Sequence, residues 1–248
     1  MEHLTVSADR LQAAKAGFQS FCQQSGREGI GRLSEKSLHG ILKFYLQPDA
    51  SCHEVLLPGG TVADIFDGNT VTEIQTGNYL ALAKKLPKIL ADYPVHVYCP
   101  LVRDRYIYMV DPETGNMQAG RKSPEHASIV TSLVALCYLD RFLDHPHFTL
   151  TFLLMDADAY RMPSVGRQKG KKLDLVPINI VDAWTVTDRE DYKQMLPELP
   201  TRFFAKDFYK RARLRGRKAS LCLKLLRDSG TVLQVGKEKN AFTYQINV

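Results

Sequence analysis

Asp64, Glu73 and Gln75 stand in the stretch VADIFDGNTVTEIQTG (62–77), among apolar residues that alternate as in two strands joined by a tight turn. Glu73 and Gln75 are two apart and share one face of a strand, and Asp64 lies across the short DGN turn from them. If that face turns inward, two carboxylates converge beside an amide. Paired acids repel and are costly to bury unless a proton or a cation intervenes. A hard divalent ion with oxygen ligands answers that cost, Mg2+ before Mn2+. Such an ion can activate water and offset the charge of a phosphodiester under attack. In the competing arrangement Asp64 opens the Asp67–Gly68–Asn69 turn, and Glu73 and Gln75 face solvent on an edge strand.

The elements that must position these residues are legible on either side. Residues 7–24 carry Leu11, Ala14, Phe18 and Phe21 at helical spacing, and the Gly-rich SGREGIG that follows reads as a loop. SEKSLHGILKFYLQP is a second helix, with Ser34 as its cap, Leu38, Ile41, Leu42 and Tyr45 as its apolar stripe, and Pro48 closing it. Glu35, His39 and Lys43 recur every fourth residue and so share one face of that helix. CHEVLLP (52–58), TVADIF (61–66) and VTEIQ (71–75) read as strands, and NYLALAKKLPKILADY (78–93) as a helix. PVHVYCPLV (94–102) and RYIYMVD (105–111) suggest a hairpin. SPEHASIVTSLVALCYLDRFLDH suggests one long helix capped by Ser123, with Pro124 at its first position. FTLTFLLMD (148–156) is a buried strand. RMPSVGRQKGKKLD is a basic loop, either solvated or touching phosphate, and LVPINIVDAW returns as a strand. The sum is a mixed α/β sheet covered by helices. His39, His53 and Glu54 are open between a part in the acidic site and a place at the surface or core edge.

This order of helix, strand, D-turn-strand, E-x-Q and helix resembles the core of the PD-(D/E)xK nucleases, the restriction-endonuclease-like superfamily. The resemblance covers roughly residues 33–112 and extends toward the strand ending near Asp156. It implies that Asp64 and Glu73 bind the metal, that Gln75 takes the position of the usual catalytic lysine, and that Glu35 is the third acid. Two positions depart from the pattern. Ala63 rather than proline precedes Asp64, and Gln75 carries no charge, although its amide can orient a water. A lysine from a neighbouring element can take over that charge, and Lys43, Lys84 and Lys85 are the candidates.

Beyond Thr187 the pattern changes. DREDYKQMLPEL, FFAKDFYKRARL and RKASLCLKLLRDSG read as three helices, the second with a short strand or turn before it; TVLQVG and AFTYQINV read as strands joined by KEKN. This order resembles a winged helix-turn-helix domain over 187–248, beside a nuclease-like domain over 1–182. The resemblance implies a second helix in the major groove and a wing on the backbone. Candidate nucleic-acid contacts are Arg213, Arg215, Arg217, Lys218, Lys224, Lys237 and Lys239. The alternative use of such a domain is protein contact or dimerisation.

Charge supports a polyanion partner. The 248-residue chain has a formal net charge of +6, but residues 201–248 hold twelve Lys/Arg against three Asp/Glu, a local charge of +9, which leaves −3 on the first 200. The five scattered cysteines form no CxxC pair, and no apolar run suits a signal peptide or a membrane span. The expectation is therefore a cytoplasmic, Mg2+-dependent DNA endonuclease, targeted by a basic winged helix to double-stranded DNA and away from membranes. A homodimer would suit a double-strand cutter. The alternative is a catalytically degenerate nuclease fold that binds DNA or regulates.

Overall fold

The computed structural model describes residues 1–24, 37–111, 113–164 and 170–247. Its centre is an eight-stranded mixed sheet flanked by helices. In chain order the elements are β1 (Glu2–His3), α1 (Ala8–Gln24), α2 (Ser37–Leu46), β2 (His53–Leu56), β3 (Val62–Phe66), β4 (Val71–Ile74), α3 (Tyr79–Leu90), β5 (Val95–Met109), β6 (Arg121–Lys122), α4 (Leu133–Leu139), β7 (Phe148–Arg161) and β8 (Lys172–Val186). Across the sheet the order is β1-β8-β7-β5-β4-β3-β2, with β6 paired to β5. Tight turns make β2, β3 and β4 an antiparallel meander. At the first, Leu57 N–H donates to Thr61 O; at the second, Asp67 Oδ1 accepts the N–H groups of Asn69 (2.9 Å) and Thr70 (2.7 Å). β4, β5 and β7 are parallel, because each return passes through a helix.

The sheet is apolar on both faces, so two core clusters form. On one face α1 and α2 pack through Leu11, Phe18, Leu38 and Leu42 onto Ile65, Ile74, Leu153, Met155 and Ile180. On the other, α3 and α4 pack through Leu82, Leu86, Leu133 and Leu136 onto Val71, Val97, Leu150 and Phe152. Burying each such side chain is worth about 1.5–3 kcal/mol. Gly40 makes the α1–α2 crossing close: a Cβ there would come within 2.1 Å of the Phe18 ring. Pro87 inside α3 has no N–H for the Ala83 carbonyl one turn back, and Arg141 donates to that carbonyl instead (2.7 Å).

Several sequence expectations need correction. Residues 95–109 form one strand rather than a hairpin; its register against β7 shifts between Val102 and Arg105, so the polar Arg103–Asp104 pair bulges without turning the chain back. The long helix expected after Ser123 shrinks to α4 between two 3-10 turns (Ile129–Ser132 and Asp140–Phe142); Ser123 Oγ accepts the Glu125 N–H (3.2 Å). β7 extends to Arg161 and β8 begins at Lys172, so most of the transitional segment is a long antiparallel pair. Ser34 and Glu35 lie outside the described residues, as does part of the basic loop.

Residues 187–247 add a 3-10 turn (Arg189–Lys193), β9 (Arg202–Phe204), α5 (Ala205–Arg211), α6 (Gly216–Asp228), β10 (Val232–Glu238) and β11 (Ala241–Ile246). The first of the three expected helices is thus only the 3-10 turn, held by Asp191 and Asp188 capping bonds too local to propagate. The strands form a second sheet, β10-β11-β9. Tyr192, Met195, Phe203, Phe208, Cys222 and Leu226 belong to the same core cluster as Leu136 and Trp184, so this region is continuous with the α4 side of the main sheet. No helix among the described residues is long and apolar enough to cross a membrane.

Candidate functional site

Asp64 sits where the β3–β4 ladder stops. The two strands pair at Phe66↔Val71 and Ile65↔Thr72, next to their turn. One step further the Asp64 carboxylate, rather than a backbone carbonyl, accepts the Ile74 N–H (Oδ2, 2.7 Å). Ala63 packs in one core cluster and Ile65 in the other, so the regular alternation of β3 breaks at Asp64. The other Asp64 oxygen faces His39 Nε2 at 3.3 Å. α2 brings His39 there because its start is fixed to the far side of the sheet: the Ser37 N–H and hydroxyl both donate to Asp174 of β8.

Glu73 is buried on β4 with Val71, 4 % exposed, and Lys85 of α3 answers it. The Lys85 ammonium donates to both Glu73 oxygens at 2.7 Å and to the Val62 carbonyl at 2.7 Å, tying α3 to β3 and β4 at once. Burial pushes the Glu73 carboxyl up to about 7, and the Asp64 charge pushes the same way; Lys85 pulls back without cancelling them. Burial also acts to raise Asp64, but the His39 contact, then the Ile74 N–H and the Lys85 charge, outweigh it and hold Asp64 below its ordinary value. The two carboxyls therefore split: Asp64 stays ionised, and Glu73 titrates near neutrality.

Glu54 completes a row across three strands. It lies between the paired positions His53↔Ile65 and Val55↔Ala63, hence beside Asp64. Its φ of 53° is left-handed, uncommon for a residue with a Cβ. Lys43, one helical turn after His39 and 2 % exposed, donates to Glu54 Oε1 at 2.8 Å, and Glu54 is held below its ordinary value chiefly by that bond. The i,i+4 pair His39 and Lys43 thus delivers its two bases to Asp64 and Glu54, as the face-sharing pattern in the sequence suggests. The His53 ring bonds the Gln47 carbonyl (2.8 Å) and packs edge-on against Phe44.

Gln75 follows β4, half-buried, and its N–H donates to the Tyr98 carbonyl (2.8 Å), which extends the β4–β5 ladder by one step. Of the three lysines offered as substitutes for a charge at position 75, Lys85 reaches Glu73, Lys43 reaches Glu54 and Lys84 is exposed. Glu35 lies outside the described residues. Among the described residues, no three His, Cys, Asp or Glu side chains are grouped so as to hold a metal ion. Asp64 and Glu73 nonetheless offer the hard oxygen donors that a divalent ion takes, and the ammonium on Glu73 marks a position where positive charge is held.

The seven basic candidates of the C-terminal region are all exposed. Arg213, Arg215, Arg217 and Lys218 cluster at the α5–α6 turn, where Arg213 and Gly216 both have positive φ. Lys224 pairs with Asp228 one turn on. Lys237 and Lys239 flank the tip of the β10–β11 hairpin, with Lys237 over the exposed Phe242 ring (5.8 Å).

Comparison with curated proteins and with solved structures returned no match. A family model described as Domain of unknown function (DUF8091) matches residues 36–186, from the start of α2 to the end of β8, and the chain belongs to that family.

Proposed function

We propose that the chain is a metal-dependent nuclease of the PD-(D/E)xK kind, carried to DNA by a basic winged helix. The observation that supports this most is the junction of Asp64 and Glu73 on adjacent strands, with Lys85 from α3 on Glu73. A buried carboxyl, a repelling neighbour and a cation from a third element are expensive to assemble for stability alone, and perturbed groups of this sort cluster at reaction sites. The element order α2-β2-β3-β4-α3-β5 is a second support for this reading.

Each residue then has a part. Asp64 and Glu73 would hold a hard divalent ion, which supplies charge neutralisation at a scissile phosphodiester and lowers the pKa of water. Lys85 supplies the cationic charge that Gln75 lacks, while the Gln75 amide can orient a water on the same face of the chain as Glu73. His39 keeps Asp64 ionised and oriented. We read β9, α5, α6 and the β10–β11 hairpin as the winged helix; that its basic residues are exposed and so open to phosphate supports this reading.

The test is cleavage of plasmid and single-stranded DNA with Mg2+, Mn2+ or EDTA, beside Asp64→Ala and Glu73→Ala, with a gel-shift lane for each. Metal-dependent cutting lost in both variants, with binding retained, supports the proposal. Binding without cutting under any metal favours a second reading, a degenerate nuclease fold that binds DNA or regulates; the uncharged Gln75 and the absence of a third grouped ligand among the described residues favour it.

A further inference from the structure

Two thiols meet where α4 and α6 pack together. Cys137 Sγ lies 3.7 Å from Cys222 Sγ, although the two residues are 85 positions apart. Cys222 is fully buried in the main core cluster; Cys137 is half-buried at its edge. The sulfur–sulfur hydrogen bond holds the Cys137 thiol below the usual thiol range and the Cys222 thiol above it, so Cys137 is the attacking sulfur of the two. Cys99 differs: it is wholly buried, and its thiol is pushed far up by burial. A contact of 3.7 Å closes to a bond of about 2.05 Å with a small movement of two side chains.

We infer that Cys137 and Cys222 form a reversible disulfide that ties α6, the helix carrying Arg217, Lys218 and Lys224, to α4 on the main sheet. With oxidised glutathione as the oxidant, the Cys137 thiolate attacks one glutathione sulfur. A protein–glutathione mixed disulfide forms and one glutathione leaves as its thiolate. Cys222 then gives up its proton and attacks Cys137 Sγ, and the second glutathione leaves. One disulfide is broken, one is formed, and two thiols of the protein become two thiols of glutathione.

The test uses the full chain, incubated with a series of oxidised-to-reduced glutathione ratios, quenched with acid, its free thiols then blocked with N-ethylmaleimide, digested with trypsin at neutral pH without reductant and weighed. The expected product joins peptide 123–141 to peptide 219–224; dithiothreitol reverses it, and Cys137→Ser abolishes it. Because the bond closes a long loop, the oxidised protein should also melt higher by roughly 5 °C or more. Cys137 carrying glutathione with no cross-link would overturn the inference, as would cross-links that spread over Cys22 and Cys52 as readily as over Cys222. Since the readout is a mass and a melting shift on the wild type, the outcome does not depend on whether the chain cuts DNA or on whether a variant folds.

Discussion

At the scale of the residue, the chemistry turns on the split between two carboxyls. Glu73 titrates at about 7, above its ordinary 4.5, so it is partly protonated at neutral pH. A divalent ion takes the carboxylate and must displace that proton. Binding of Mn2+ should therefore strengthen as pH rises from 6 to 8 and level off above it, as isothermal calorimetry would measure. Lys85 lowers the Glu73 value, so Lys85→Met should move the whole profile to higher pH and weaken binding at pH 7. Asp64→Asn removes the repelling charge, and the Glu73 carboxyl should then titrate lower, by carbon-detected NMR. A profile unmoved by Lys85→Met would show that the ammonium does not control the site. Asp64 and Glu73 were legible as a pair because spacing and residue type suffice to flag them. Their partners were legible only as candidates, His39 on the α2 face and Lys85 as one of three lysines. Lys85 lies twelve residues from Glu73, and only the passage of α3 back over β4 selects it over Lys84, its neighbour by one position.

At the scale of the element, α2 is the piece that carries bases to the site, and its seat on α1 depends on the missing side chain of Gly40. The Phe18 ring occupies the space a Cβ would take. Gly40→Ala gains helix propensity but overpacks this crossing, and a net loss of about 1–2 kcal/mol is expected by denaturant unfolding. His39 and Lys43 flank position 40, so cleavage should fall with it. A stabilised, fully active variant would mean that Phe18 re-seats without moving α2. A second prediction concerns the strands. His96 on β5 is enclosed between Tyr98, which stacks on it at 4.0 Å, and Thr151, whose hydroxyl meets its Nε2 at 2.7 Å. Burial lowers its value to about 4. The unfolded chain takes up the proton first, so stability present above about 6.5 is lost as pH falls through 4, on the order of 3 kcal/mol in all. His96→Gln should flatten that part of the stability–pH curve. The strands themselves were legible as apolar runs, but their lengths were not. Residues 95–109 look like a hairpin because Arg103 and Asp104 interrupt the apolar run. The structure absorbs them in a bulge, with Arg103 donating to Asp156 (2.7 and 2.9 Å) and Asp104 paired with Lys122 (2.9 Å). A polar break in a strand reads as a turn unless its partners on β7 and β6 are known, and those partners lie 18 to 53 residues away.

At the scale of the whole molecule, the chain separates its charges. On the sheet Glu54, Asp64 and Glu73 are each met by a base, while the last 48 residues carry the +9. This asymmetry was plain in the sequence because counting needs no geometry. The continuity of the two regions was not, because Cys137 and Cys222 give no sign in sequence that they touch. Exposed cations on the α5–α6 turn and the β10–β11 tip have few acids to satisfy them, so their interaction with a polyanion is governed by counterion release. For duplex DNA the logarithm of the binding constant should fall linearly with the logarithm of salt concentration, with a slope near −0.9 for each phosphate engaged. Under the proposed function, replacing Arg215 and Arg217 together by alanine should make the slope shallower by about 2 while cleavage at saturating DNA is retained. Lys237→Ala tests the hairpin tip in the same way, by about 1. A slope that does not change in either variant would take these residues off the DNA. The acidic site would then have to recruit its substrate through another surface, and the basic C-terminal region would be left to a partner that is not a nucleic acid.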